Sequence, residues 1–84
     1  MTKKEKLLKR LLSQPSDFTW QELTTLLKSL GFEEVKTGKT GGSRRRFSNA
    51  ENVIINLHKP HPSNILKKYQ IKQIIEILSD EEII

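Results

Sequence analysis

The chain has 84 residues, a formal charge of +5, two histidines and no cysteine: enough for one domain, residues 1–84, and closed to disulfides and thiolate metal sites. Two histidines alone make a poor zinc site, and the apolar runs are far too short to span a membrane. The basic start Met1-Thr2-Lys3-Lys4 lacks the apolar stretch of a signal peptide, so the expected compartment is the cytoplasm.

Leu7, Leu8, Leu11 and Leu12 recur at helical spacing and predict a first helix from Lys3 to Ser13, stopped by Pro15. Thr19-Trp20-Gln21-Glu22 has the form of a capping box, in which a hydroxyl and a carboxylate each satisfy a free backbone N–H. Trp20, Leu23, Leu26, Leu27 and Leu30 follow on one face, and Gly31 is a natural stop. Phe32 to Thr37 reads as a strand, Gly38 to Gly42 as a turn, and Ser43 to Ser48 as a second strand. Alternation puts Arg44 and Arg46 on one face, with Ser43, Arg45 and Phe47 on the other. After the turn Asn49 to Asn52, a third strand from Val53 to His58 points Val53, Ile55 and Leu57 one way and Ile54, Asn56 and His58 the other. Pro60 and Pro62 end it. Ile71, Ile74, Ile75 and Leu78 mark a last helix near Tyr69 to Leu78, before an acidic tail. The expected architecture is α+β, in the order α-α-β-β-β-α. Helices cover one face of a three-stranded antiparallel sheet, and the other face is open and basic.

Charge is unevenly placed. Lys36 to Lys72 holds nine Lys or Arg against one acid, whereas Gln73 to Ile84 holds four acids and no base. A basic middle is the footprint of a polyanion partner, which we favour over a merely solvated surface. In Gly41-Gly42-Ser43-Arg44-Arg45-Arg46 the glycines let backbone approach a phosphate and the arginines grip it bidentately. The plainer alternative is a hairpin with a solvated charged strand, but arginines on both faces of a half-buried strand need a reason. His58-Lys59-Pro60-His61 places two histidines at a strand end. Histidine passes protons near neutral pH, and RNA self-cleavage needs a base, an acid and cations at the phosphorane. His58, His61, Lys59 and Arg44 supply those types without a metal. The competing reading, His58 as a strand-end residue and His61 as a loop residue held by prolines, is evenly matched. Lys67, Lys68 and Lys72, at or near the start of the last helix, and Lys39 in the turn are further candidate phosphate contacts. Trp20 belongs to the core, and Tyr69 is open to either core packing or base stacking.

From Gln21 to Leu78 the sequence resembles the HicA family of toxins. The resemblance is carried by Leu26-Leu27-Lys28-Ser29-Leu30-Gly31-Phe32, by Gly42-Ser43 opening a strand with Phe47, by Pro60-His61, and by Leu66-Lys67 leading to Ile71-Lys72-Gln73-Ile74. It implies a fold similar to a double-stranded-RNA-binding domain. It also implies an mRNA-cleaving ribonuclease that arrests translation, needs no cofactor and is neutralised by a HicB-type antitoxin. Residues 1–14 form an extra N-terminal helix beyond the family pattern. The family motif is Gly-Ser-His, and Arg44 stands where the catalytic histidine is expected. Arginine stays protonated and cannot act as a general base. Either His58 or His61 carries the proton, or the chain binds RNA or an antitoxin without nuclease activity. A winged-helix DNA binder fits poorly, because no helical pattern lies between Phe32 and His58.

Overall fold

A computed structural model of the protein describes residues 2–35 and 44–84. Its elements are α1 (Lys3–Leu12), α2 (Trp20–Ser29), β1 (Glu33–Val35), β2 (Arg44–Ser48), β3 (Ile54–His58) and α3 (Lys68–Asp80). The expected order is observed, and the three strands form an antiparallel sheet in the order β1-β2-β3. The predicted turn from Gly38 to Gly42 lies outside the described residues.

Both N-terminal helices begin in a capping box. Thr2 accepts from the Glu5 N–H and Thr19 from the Glu22 N–H, while each glutamate accepts from its cap's own N–H. The first of these was equally legible as Thr2-Lys3-Lys4-Glu5, a threonine three residues before a glutamate. Replacing Thr19 by alanine leaves the Glu22 N–H without its side-chain acceptor, and chemical denaturation is expected to read a loss of about 1 kcal/mol.

Helix α2 ends at Gly31, whose φ of +95° is the left-handed conformation that closes a helix with little strain in glycine. The Gly31 N–H donates to the Lys28 carbonyl and the Phe32 N–H to that of Leu27. Phe32, predicted as strand, is thereby the buried residue after the cap, and pairing starts one position later at Glu33. Helix α3 closes in the same way, with the left-handed position filled by Glu82. The Glu82 N–H donates to Ser79 and the Ile83 N–H to Leu78, so the tail turns back and packs Ile83 and Ile84 against the core.

The strand alternation is as predicted. Phe47, Ile55 and Leu57 are buried beneath the helices, while Arg44, Arg46, Ile54, Asn56 and His58 are exposed on the far face. The core unites this sheet face with Leu23, Leu26 and Leu27 of α2, Ile71, Ile74 and Leu78 of α3, and Leu7 and Leu11 of α1. The α1 stripe is narrower than its sequence suggested: Leu8 is half-buried and Leu12 is turned outward. Trp20 is a core residue, its ring centroid 5.8 Å from that of Phe47 at a tilt of 54°. Two backbone bonds, Trp20 N–H to Asn64 and Leu66 N–H to Phe18, stitch the segment after β3 to the start of α2.

Arg10 fastens α1 to the α2 cap. Its guanidinium donates to Glu22 at 3.0 Å and to Asp17 at 2.9 Å, and it lies 5.6 Å over the Phe18 ring. The hydrogen bond to Glu22 raises the Arg10 pKa above its usual value, against an opposing effect of desolvation. At Glu22, desolvation pushes the carboxyl up, but the bonds from Arg10 and Thr19 outweigh it and hold the pKa below the ordinary 4.5. A carboxyl depressed in the folded state contributes stability that is present above its unfolded pKa and lost as the pH falls through its folded pKa. Denaturation midpoints followed below pH 5 are therefore expected to fall less steeply in Glu22→Gln than in the parent chain.

Candidate nucleic-acid interface

The β2–β3 register sets the site. Arg44 pairs with His58, and one rung along Arg46 pairs with Asn56. All four side chains point to the open face, where directly opposed residues stand with Cβ atoms about 4.5–5.5 Å apart. Asn56 Oδ1 accepts from Arg46 Nε at 3.1 Å, which fixes that guanidinium along the sheet. Arg45, on the helix-facing side, is half-buried with its Nε 3.9 Å from Glu34 of β1.

Arginines therefore emerge from both faces of one strand end, and the helix packed there completes a cleft. Its volume is about 550 Å³, and its lining comes from Arg44, Arg45 and Arg46 of β2, from Asn56, Leu57 and His58 of β3, and from Tyr69, Gln70 and Gln73 of α3. The fixed point between strand and helix is Gln70, a buried amide with both ends occupied. Its nitrogen donates to the His58 carbonyl at 2.9 Å and its oxygen accepts the Lys67 N–H at 2.9 Å. Burying an amide is tolerated only when its donors and acceptors are met. Here the pairing also sets where the His58 backbone lies relative to the start of α3.

Of the residues singled out in the sequence, Arg44, Arg46 and His58 come together at this cleft. His61 is exposed in the loop after β3, follows on from Lys59 and Pro60, and precedes Pro62 through a cis peptide bond; it does not line the cleft. Lys59, Lys67, Lys68 and Lys72 are exposed, and none of them lines the cleft. Lys67 is the N-cap of α3, whose first turn has no acidic residue, so the positive end of the helix and these lysines act in the same sense on an anion. Lys39 and Ser43 lie outside the described residues. Sequence reasoning passed over Asn56, Gln70 and Gln73. Asn56 was within reach, since alternation already placed it on the arginine face.

Among the described residues no group of three or more His, Asp or Glu side chains is arranged to hold a metal, and no helix is long and apolar enough to cross a membrane. What the arrangement offers is concentrated positive charge, bidentate donors and one imidazole beside a guanidinium. A family model described as the HicA toxin of bacterial toxin–antitoxin systems matches residues 20–79, so the match begins at α2 and leaves α1 outside it. No curated protein and no solved structure matches the chain.

Proposed function

The chain belongs to the HicA toxin family, which makes it the toxin of a bacterial toxin–antitoxin system, and on that premise we propose that it binds and cleaves mRNA and so arrests translation. The observation that carries this reading is the Arg44–His58 rung beside an arginine-lined cleft. In this reading His58 takes the proton from a ribose 2′-OH, whose oxygen forms a bond to the adjacent phosphorus. Arg44 neutralises the charge gathering on the phosphorane oxygens. The bond from phosphorus to the 5′ oxygen breaks, that oxygen receives a proton from His61 or from water, and the products are a 2′,3′-cyclic phosphate and a 5′-hydroxyl. Arg46, Lys59, Lys67, Lys68 and Lys72 hold neighbouring phosphates, with Lys39 and Ser43 assigned to the same role on sequence grounds. The chemistry uses side chains alone, with no cofactor. A HicB-type antitoxin is the proposed neutralising partner, and the cytoplasm is where it would meet mRNA. Residues 1–84 act as one unit in this reading.

Arg44 at the position of the family histidine favours a second reading, an RNA-binding module without nuclease activity. One assay separates them: purified chain and RNA in the presence of a chelator, read for shortened RNA carrying cyclic-phosphate ends. Intact RNA under conditions of saturated binding would overturn cleavage. Both readings expect salt-sensitive binding. With these five phosphate contacts on a single strand, affinity should fall roughly 100-fold between 50 and 200 mM salt, and a salt-insensitive complex would count against the whole interface.

A further inference from the structure

Tyr69 is 58% exposed, although its neighbours Gln70 and Ile71 are buried. It stands one helical turn from Gln73, and residues four apart share a helix face, so ring and amide border the cleft together. Among the described residues the Gln73 amide meets no hydrogen-bond partner within the chain. Neither residue contributes to the core, and neither has a part in the proton transfers proposed above. An exposed aromatic ring, an available amide and flanking arginines on one concavity match the chemistry by which proteins hold a single unstacked base. The base lies against the ring, its edge meets an amide, and its phosphates meet guanidinium groups.

The shape of the site distinguishes this from the recognition of duplex RNA that the overall fold suggests. A continuous A-form helix is gripped across its minor groove by contacts to phosphates and 2′-hydroxyls, which a flat basic surface provides. A cleft of about 550 Å³ lies within the size range of small-molecule sites, about 300–1,000 Å³. That volume is enough for one splayed nucleotide.

We propose that this cleft takes one unpaired nucleobase of an RNA strand, stacked on the Tyr69 ring with its edge toward the Gln73 amide. The proposal rests on the RNA reading above and narrows it: the target is single-stranded or locally unpaired RNA.

The test uses the full chain and a single-stranded RNA carrying 2-aminopurine at successive positions, alone and annealed to its complement. The parent chain is expected to bind the single strand more tightly than the duplex and to change the 2-aminopurine emission at one position. Tyr69→Ala should lose about 5- to 150-fold in single-strand affinity, the range for removal of one stacking partner. Tyr69→Phe should stay near the parent value. Unchanged thermal melting of both variants would show that the fold is intact. Equal affinity of the parent chain for both RNA forms, or single-strand binding undiminished in Tyr69→Ala, overturns this inference and leaves the RNA reading standing. A parent chain that binds neither form overturns both.

Discussion

Replacing Phe47 by alanine is expected to cost about 3–5 kcal/mol of folding free energy, the usual penalty for emptying a buried aromatic site. Phe47 is 1% exposed in the middle strand, one residue before its end, with the Trp20 ring 5.8 Å away. Truncation would leave a void bounded by the start of α2 and the inner sheet face, and neither is free to collapse into it. Trp20 is fixed by the capping box and by its N–H bond to Asn64, and the strand by its ladders to β1 and β3. In a chain of this size such a loss is a large share of total stability and lowers the melting temperature by roughly 15 °C or more. Arg46→Ala, on the other face of the same strand, is the control. Surface changes of that kind fall within about 0.5 kcal/mol. Urea titrations giving the two variants equal midpoints would contradict the assignment of the inner face.

The second large effect concerns turnover. His58→Ala is expected to slow RNA cleavage by about 10²- to 10⁴-fold, the contribution typical of a positioned acid or base, with RNA affinity and melting temperature close to the parent values. The side chain is exposed on the open face, so its removal leaves no cavity. The backbone carbonyl that Gln70 grips remains in the variant. His61→Ala, tested beside it, apportions the work: a comparable loss assigns the second proton transfer to His61, and a small one assigns it to water. Arg44→Lys retains the charge but not the planar fork, so a loss of rate without a loss of salt sensitivity is expected there. Cleavage undiminished in His58→Ala would remove the imidazole from the mechanism.

Much of the fold could be read from the sequence because its signals are local. The Thr19–Glu22 box and the Leu23, Leu26, Leu27 stripe define α2 within a few residues of chain. The alternation of Arg44, Arg46 and Asn56 against Phe47, Ile55 and Leu57 predicts which face of each strand is wet. Boundaries were less legible, since they depend on caps. Phe32 reads as strand by composition but serves the closing turn of α2, and α3 runs on to Asp80 because Glu82 takes a conformation usually left to glycine or asparagine. The cleft was least legible. Its walls come from residues 44–46 and 56–58 and from Tyr69, Gln70 and Gln73, and their meeting is decided by how α3 packs across the sheet, which no periodicity encodes. Gln70 illustrates the difficulty. Composition alone would assign a glutamine to the surface, and only the three-dimensional meeting of the His58 carbonyl with the Lys67 amide makes its burial favourable.

That bridging amide also decides how the site can loosen. Proteins open in cooperative local units whose free energies differ from one region to another. A hairpin end held only by its own ladder would fray with the hairpin. The last rung of this one is tied through a single side chain to the first turn of α3, so the two segments form one opening unit. Protection of the Lys67 amide against hydrogen exchange then reports on the strand as well as on the helix. The precision with which His58 is held depends on the anchoring of Ile71, Ile74 and Leu78 in the core as well as on the hairpin that carries it.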